Sequence, residues 1–123
     1  MTDDTILHRQ VHPSWIQNDR VTSQAFKPTA KDKGKLSVYD GDRITAEKAW
    51  RHFTTVLKFE SVGSLALNVR ECIEVELPVE PDPQEFFEHV VINFSAYGRG
   101  EVEKKAKHLR FKAEARGWQY RAI

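Results

Sequence analysis

Cysteine is all but missing from this chain: Cys72 stands alone among 123 residues. An internal disulfide is impossible, so a fold stapled by cross-links is excluded. No apolar run approaches the ~20 residues that a membrane-spanning helix needs. The opening "MTDDTILHRQ" is acidic and lacks the apolar centre of a secretory leader. These absences lead to the expectation of a cytoplasmic protein with no membrane partner. Glycine is scarce at six residues, and "AYGRGE" has neither P-loop nor dinucleotide-fingerprint spacing. Five histidines and one cysteine are scattered and form no closed zinc set. His8 and His12 are four apart, which on a strand separates them by about 13 Å, too far to share one ion. No metal is expected.

What is present is the composition of an ordinary globule, 40% hydrophobic and 30% charged. The length suits a single compact domain over 1–123 that buries roughly two thirds of its unfolded surface, with residues 1–4 expected to be disordered. The net charge of +1 hides an asymmetry. Residues 45–97 carry nine acids against four bases, and residues 98–123 carry eight bases against three acids. Such segments either attract each other inside the fold or steer an anionic partner to one end.

Alternation of apolar and polar residues predicts strands at 5–12, 21–26, 35–39, 64–69 and 89–94, with a short last one near "WQYRA". In the first, Ile6, His8 and Gln10 share one side and Leu7, Arg9 and Val11 the other. Thr45 is a good N-cap for a helix to about Leu57, whose buried stripe is Ala46, Ala49, Trp50 and Phe53. "RECIEVEL" fits a strand or a short helical turn. "PVEPDPQEFFEH", with its three prolines, reads as an extended surface segment. The strongest helix spans 101–116, with Val102, Ala106, Leu109 and Ala113 as its stripe and Gly117 as its C-cap. The expected fold is α+β: a mostly antiparallel sheet of five or six short strands with two helices packed on one face.

Polar residues on strands are the candidates for a site. Arg9 shares a face with Leu7 and Val11, so an anion should meet it, from the protein or from a ligand. Ser23, Gln24, Ser37 and Tyr39 on the neighbouring strands would line the same concavity. The connection after residue 26 is longer than a tight hairpin needs. Its Lys27, Lys31, Lys33 and Lys35 would add positive charge, and Gly34 would be its hinge. The expectation is a mobile basic flap beside an anion-accepting pocket.

The succession "ILHRQVHPSW", "SQAFKP", "KLSVYDGD" and "TAEKAWRHF", within residues 6–53, resembles the opening of RES-type toxins and, more distantly, of ADP-ribosyltransferase-like domains. That resemblance implies a NAD-cleaving pocket in which Arg9 holds a phosphate and Tyr39 packs near the nicotinamide. It covers under half the chain, and "WRHF" stands where those families place a helix glutamate. On the C-terminal helix, Lys104, Lys107, His108 and Lys112 lie away from the apolar stripe, with Trp118 and Tyr120 just beyond. Basic groups beside aromatics suit contact with a nucleic-acid backbone. The first functional expectation is a small non-catalytic binding module, accessory, immunity or antitoxin-like, that contacts a protein or nucleic-acid partner through a basic pocket. The alternative is a small NAD- or nucleotide-processing enzyme using Arg9, Ser23, Gln24 and Tyr39 with the lysine loop as lid. A homodimer through an exposed edge strand is a third.

Overall fold

The computed structural model describes residues 1–122. In chain order the strands are β1 (Ile6–Gln10), β2 (Ile16–Gln17), β3 (Arg20–Val21), β4 (Lys35–Asp40), β5 (Gly63–Asn68), β6 (Val79–Pro81), β7 (His89–Asn93) and β8 (Tyr120–Arg121). The α-helices are α1 (Ala46–Arg51), α2 (Val69–Glu74) and α3 (Arg99–Arg116). Six strands form one sheet in the order β6-β7-β4-β1-β5-β8, with every neighbouring pair antiparallel, and β2 and β3 make a separate two-residue ribbon. The chain is thus an α+β domain, as its alternation implied.

Period-two alternation gives the sheet two unlike faces. Leu7, Leu36, Val38, Leu65, Leu67, Val90 and Ile92 form one apolar face and cluster with Ala106, Leu109 and Ala113 of α3. Each fully buried leucine there contributes about 1.5–3 kcal/mol. Val69 and Cys72 of α2 join the same cluster. The two helices packed on this face are therefore α2 and α3. "RECIEVEL" resolves into α2 because Asn68 and Glu71 make a reciprocal capping box at its start. At the far end of α3, Gly117 lies at φ 87° and its N–H closes on the Ala113 carbonyl.

The helix predicted from Thr45 lies on the opposite face. The Thr45 hydroxyl accepts from the Lys48 N–H, α1 follows, and a π-helical turn continues it over His52–Val56. Its contacts include a 2.7 Å hydrogen bond between His52 Nδ1 and the Tyr39 hydroxyl, and Tyr39 belongs to the second face. Both faces carry buried groups, Ala66 and Tyr39 on one and the leucines on the other. Hydrophobicity alone therefore did not say which face this helix would cover.

Three further expectations are corrected. Residues 21–26 do not form a strand: β3 stops at Val21, and Ser23–Phe26 is a 3-10 turn. Its adjacent Ala25 and Phe26 are both buried in the same core cluster, where a strand would have turned them to opposite faces. Part of the proline-rich stretch is regular, because Val79–Pro81 pairs with β7 at the sheet's outer edge, where a proline is tolerated. Residues 1–4 are tied down, with the Thr2 N–H donating to Thr5 Oγ1, the Arg70 N–H donating to the Asp3 carbonyl, and Arg70 Nη1 2.8 Å from Asp4.

One irregularity positions the site. β1 pairs with β5 along its whole length, from Ile6↔Asn68 to Gln10↔Ser64. On its other side it pairs with β4 only at Leu7↔Asp40 and His8↔Tyr39. Continued, that register would set Arg9 opposite Val38 and Gln10 opposite Ser37, and neither position is paired. The sheet splits there.

Candidate functional site

Arg9 occupies the split. Asp40 N–H donates to Glu88 and Phe94 N–H to the Gly34 carbonyl, so the even-numbered residues of this strand bond towards β7. Odd-numbered Ser37 therefore turns its carbonyl towards β1, where no strand partner meets it. Arg9 Nη1 donates to that carbonyl at 3.0 Å, and Arg9 Nε donates to the Ala25 carbonyl at 2.7 Å. The guanidinium carbon also lies 5.1 Å from the centroid of Trp15. Carbonyls and an aromatic face surround this cation, and no carboxylate bonds to it among the described residues. Burial lowers its pKa to about 10, with Asp32 acting in the opposite sense, so it stays charged at neutral pH.

A cleft of about 510 Å³ opens beside the split, lined by Arg9, Gln10, Lys35, Ser37, Tyr39 and His89 among others. Phe53, Leu57, Phe59 and Phe86 supply an apolar wall, and Asp32, Asp82 and Glu85 an acidic rim. The π-helical turn after α1 is what brings Phe53 and Leu57 to this wall. Gln10 is only 3% exposed, and its Nε2 has no hydrogen-bond partner although its Oε1 accepts from Ser61. A buried donor without an acceptor is uncommon enough to need a reason. Here it stands in the wall of a cleft.

The cleft floor is an aromatic cluster with a hydrogen-bonded chain beside it. Phe86 lies 5.0 Å from Tyr39, 4.7 Å from His52 and 4.8 Å from His89, between ring centroids. Burial, reinforced by Glu88, raises the Tyr39 pKa and keeps the phenol neutral. His89 is buried, with Nε2 3.0 Å from the exposed Ser37 hydroxyl. Its Nδ1 lies 3.3 Å from Asp82 Oδ2 and 3.3 Å from the Asp82 carbonyl.

Of the residues singled out from sequence, Arg9, Ser37 and Tyr39 line this cleft and Lys35 joins them. Ser23 and Gln24 do not, because the 3-10 turn places them beside α3 instead of on a neighbouring strand. Lys31 is exposed on a second 3-10 turn and does not line the cleft. Lys33 borders a separate groove with Lys27 and Arg99. The loop is not built as a flap. A Thr29–Asp32 capping box braces it, and Lys27 bonds to Glu103 at 2.6 Å. Gly34 sits at φ 79° against the backbone of Ser95, where a Cβ would come within 2.9 Å of the Ser95 Cα. That glycine allows a close approach and is not a hinge.

The basic groups of α3 are mostly engaged within the fold. Arg116 makes a two-pronged bond to Glu71 at 2.8 and 3.0 Å, and Arg110 and Arg20 share Glu114. Lys105 is buried, donating to the Val75 carbonyl and lying over Tyr97. Lys104 is 3.9 Å from Glu101, while Lys107 is exposed and Lys112 half-buried. Trp118 packs against the core with Arg121 over its ring, so it does not stand free beside those lysines.

Gln10, His89, Asp82 and the phenylalanine wall were not legible as site residues. Their pairing depends on strand register and on the split between β1 and β4, neither of which a local pattern specifies. Comparison of the chain with protein-family models, with curated proteins and with solved structures gives no match in any of the three.

Proposed function

We propose that this protein is a binding module whose split-sheet cleft receives the anionic end of a ligand or partner carrying an apolar or aromatic body. The observation that carries this reading is Arg9: a half-buried, charged guanidinium in the cleft wall, bonded among the described residues only to carbonyls. A carboxylate or phosphate at the cleft would complete its coordination, and a turn of the Gln10 side chain would bring its buried, unpartnered Nε2 to the same group as a second donor. The phenylalanine wall fits the remainder of such a ligand.

The test is calorimetric titration with phenyl phosphate and with benzoate, which separates a preference for phosphate from one for carboxylate. A charge-assisted hydrogen bond contributes about 1.5–3 kcal/mol, so Arg9→Met should weaken binding roughly 10- to 150-fold. Equal binding by the variant would overturn the reading.

A second reading follows from the resemblance to RES-type and ADP-ribosyltransferase-like domains. Arg9 and Tyr39 line one cleft, and Glu85 on its rim supplies a carboxylate that the helix does not. In this reading NAD enters the cleft, water adds to the ribose carbon next to Glu85 as the glycosidic bond breaks, and nicotinamide leaves. Nicotinamide release from NAD, lost in Glu85→Gln, would support it. No release by the wild-type protein would remove it.

A further inference from the structure

Nucleophilic catalysis by a serine needs a base on its hydroxyl, a group that orients that base, and donors for the oxyanion. Three side chains of the cleft are arranged for the first two. Ser37 Oγ is 3.0 Å from His89 Nε2; His89 Nδ1 hydrogen-bonds to the Asp82 carbonyl at 3.3 Å, with the Asp82 carboxylate oxygen Oδ2 also 3.3 Å away. With its proton on Nδ1 towards Asp82, the imidazole accepts the Ser37 hydroxyl proton at Nε2. The histidine is 6% exposed, and Ser37 is open to the cleft.

The third requirement is also met in kind. Arg9 is anchored to the Ser37 main-chain carbonyl through Nη1, while its Nη2 donates to nothing among the described residues. Gln10, across the unpaired position from Ser37, carries the orphaned Nε2. Nucleophile, base, orienting carboxylate and the uncommitted Arg9 Nη2 thus border one hollow beside an apolar wall, with the buried Gln10 Nε2 in the wall behind it.

From this geometry we propose that Ser37, His89 and Asp82 form a nucleophilic relay for acyl transfer. The proposal rests on the cleft being a ligand site, as argued above. The substrate class is a carboxylic ester or thioester with an apolar acyl group for the phenylalanine wall. Ser37 Oγ attacks the acyl carbon as its proton passes to His89 Nε2. Collapse of the tetrahedral oxyanion breaks the bond to the leaving oxygen or sulfur, which takes the proton from His89. Water then adds to the acyl-serine, gives a proton to His89, and releases the acid as that proton returns to Ser37 Oγ. His89 is the general base and acid, and Asp82 is a positioning residue.

An alkyl fluorophosphonate with mass-spectrometric mapping, together with hydrolysis of p-nitrophenyl butyrate, tests the relay. The expected result is one phosphonyl adduct on Ser37, absent from Ser37→Ala, and an ester hydrolysis rate that His89→Gln lowers by about 10²- to 10⁴-fold. Asp82→Asn should lower the rate and move the ascending limb of the pH profile to lower pH, which loss of a merely structural contact would not do. Thermal melts identify any variant that fails to fold, and exposed Ser37→Ala is the variant least exposed to that objection. Phenyl phosphate titration of the same samples separates the two claims. A wild-type protein that binds phenyl phosphate but acquires no adduct, or hydrolyses ester equally well as Ser37→Ala, overturns the relay and leaves the binding site standing. An adduct on Ser37 without phenyl phosphate binding supports the relay and overturns the anion-binding reading.

Discussion

Replacing Arg9 with methionine tests the split sheet through stability alone. Methionine keeps much of the aliphatic volume and removes both donors. The part-buried Ala25 carbonyl loses its partner, at a cost of about 1–3 kcal/mol, while the Ser37 carbonyl lies at an exposed edge where water replaces the guanidinium for less. Loss of the cation over Trp15 adds about 0.5–1 kcal/mol. Removing a desolvated charge returns part of this, leaving a net destabilisation of about 1–3 kcal/mol. With a urea dependence of about 2 kcal/mol per molar, ordinary for a small protein, the midpoint should fall by about 0.5–1.5 M. Arg9→Lys keeps the charge but not the fork, and should fall between the two. A methionine variant as stable as wild type would refute the claim that the guanidinium braces the gap between β1 and β4.

Other consequences follow from particular residues. Burial lowers the His8 pKa from 6.5, partly offset by the Ile44 backbone and by Asp40. The unfolded chain therefore takes up the proton first on acidification. Stability from this group is complete above about pH 6.5 and declines below it, by at most about 1.4 kcal/mol per pH unit, until the folded-state pKa is passed. Urea midpoints at pH 7.5 and 5.5 should show the decline, and His8→Gln should remove its share. Cys72 is fully buried and its thiol pKa is pushed up to about 12, so alkylation by iodoacetamide should track unfolding; rapid labelling of the native protein would contradict the packing. Arg116→Ala breaks a part-buried pair with Glu71 and a bond to the Ala66 carbonyl, and should lower stability by about 1–3 kcal/mol in chemical denaturation.

Much of the fold was legible because it rests on local periodicity. Alternation marked β1, β4, β5 and β7, and the spacing of Ala106, Leu109 and Ala113 marked the buried side of α3. Thr45 and Gly117 marked helix ends through conformations their chemistry favours. The 21–26 segment was misread because two neighbouring residues, Ala25 and Phe26, are both buried in a turn, which alternation cannot express. Lys105 went unnoticed because its buried amine relies on the Val75 carbonyl and the face of Tyr97, which α2 and its following loop bring together. Arg9 stood out for its polar place on an apolar strand face. Ser37 and Tyr39 stood out as polar groups on a strand, but their meeting with His89 and Gln10 did not, since it follows only once strand register is set and β1 has parted from β4. The sheet edges bear on assembly: β6 has three residues and β8 two, so a homodimer built on either would have a correspondingly short ladder.

The most direct test of the cleft is side-chain nuclear magnetic resonance of the folded protein titrated with phenyl phosphate. Arg9 Nε–H and the Gln10 amide protons should shift together and saturate at one dissociation constant, with the Phe53 and Phe86 rings following. Saturable shifts confined to surface lysines such as Lys31 and Lys107, with Arg9 and Gln10 unmoved, would contradict the account.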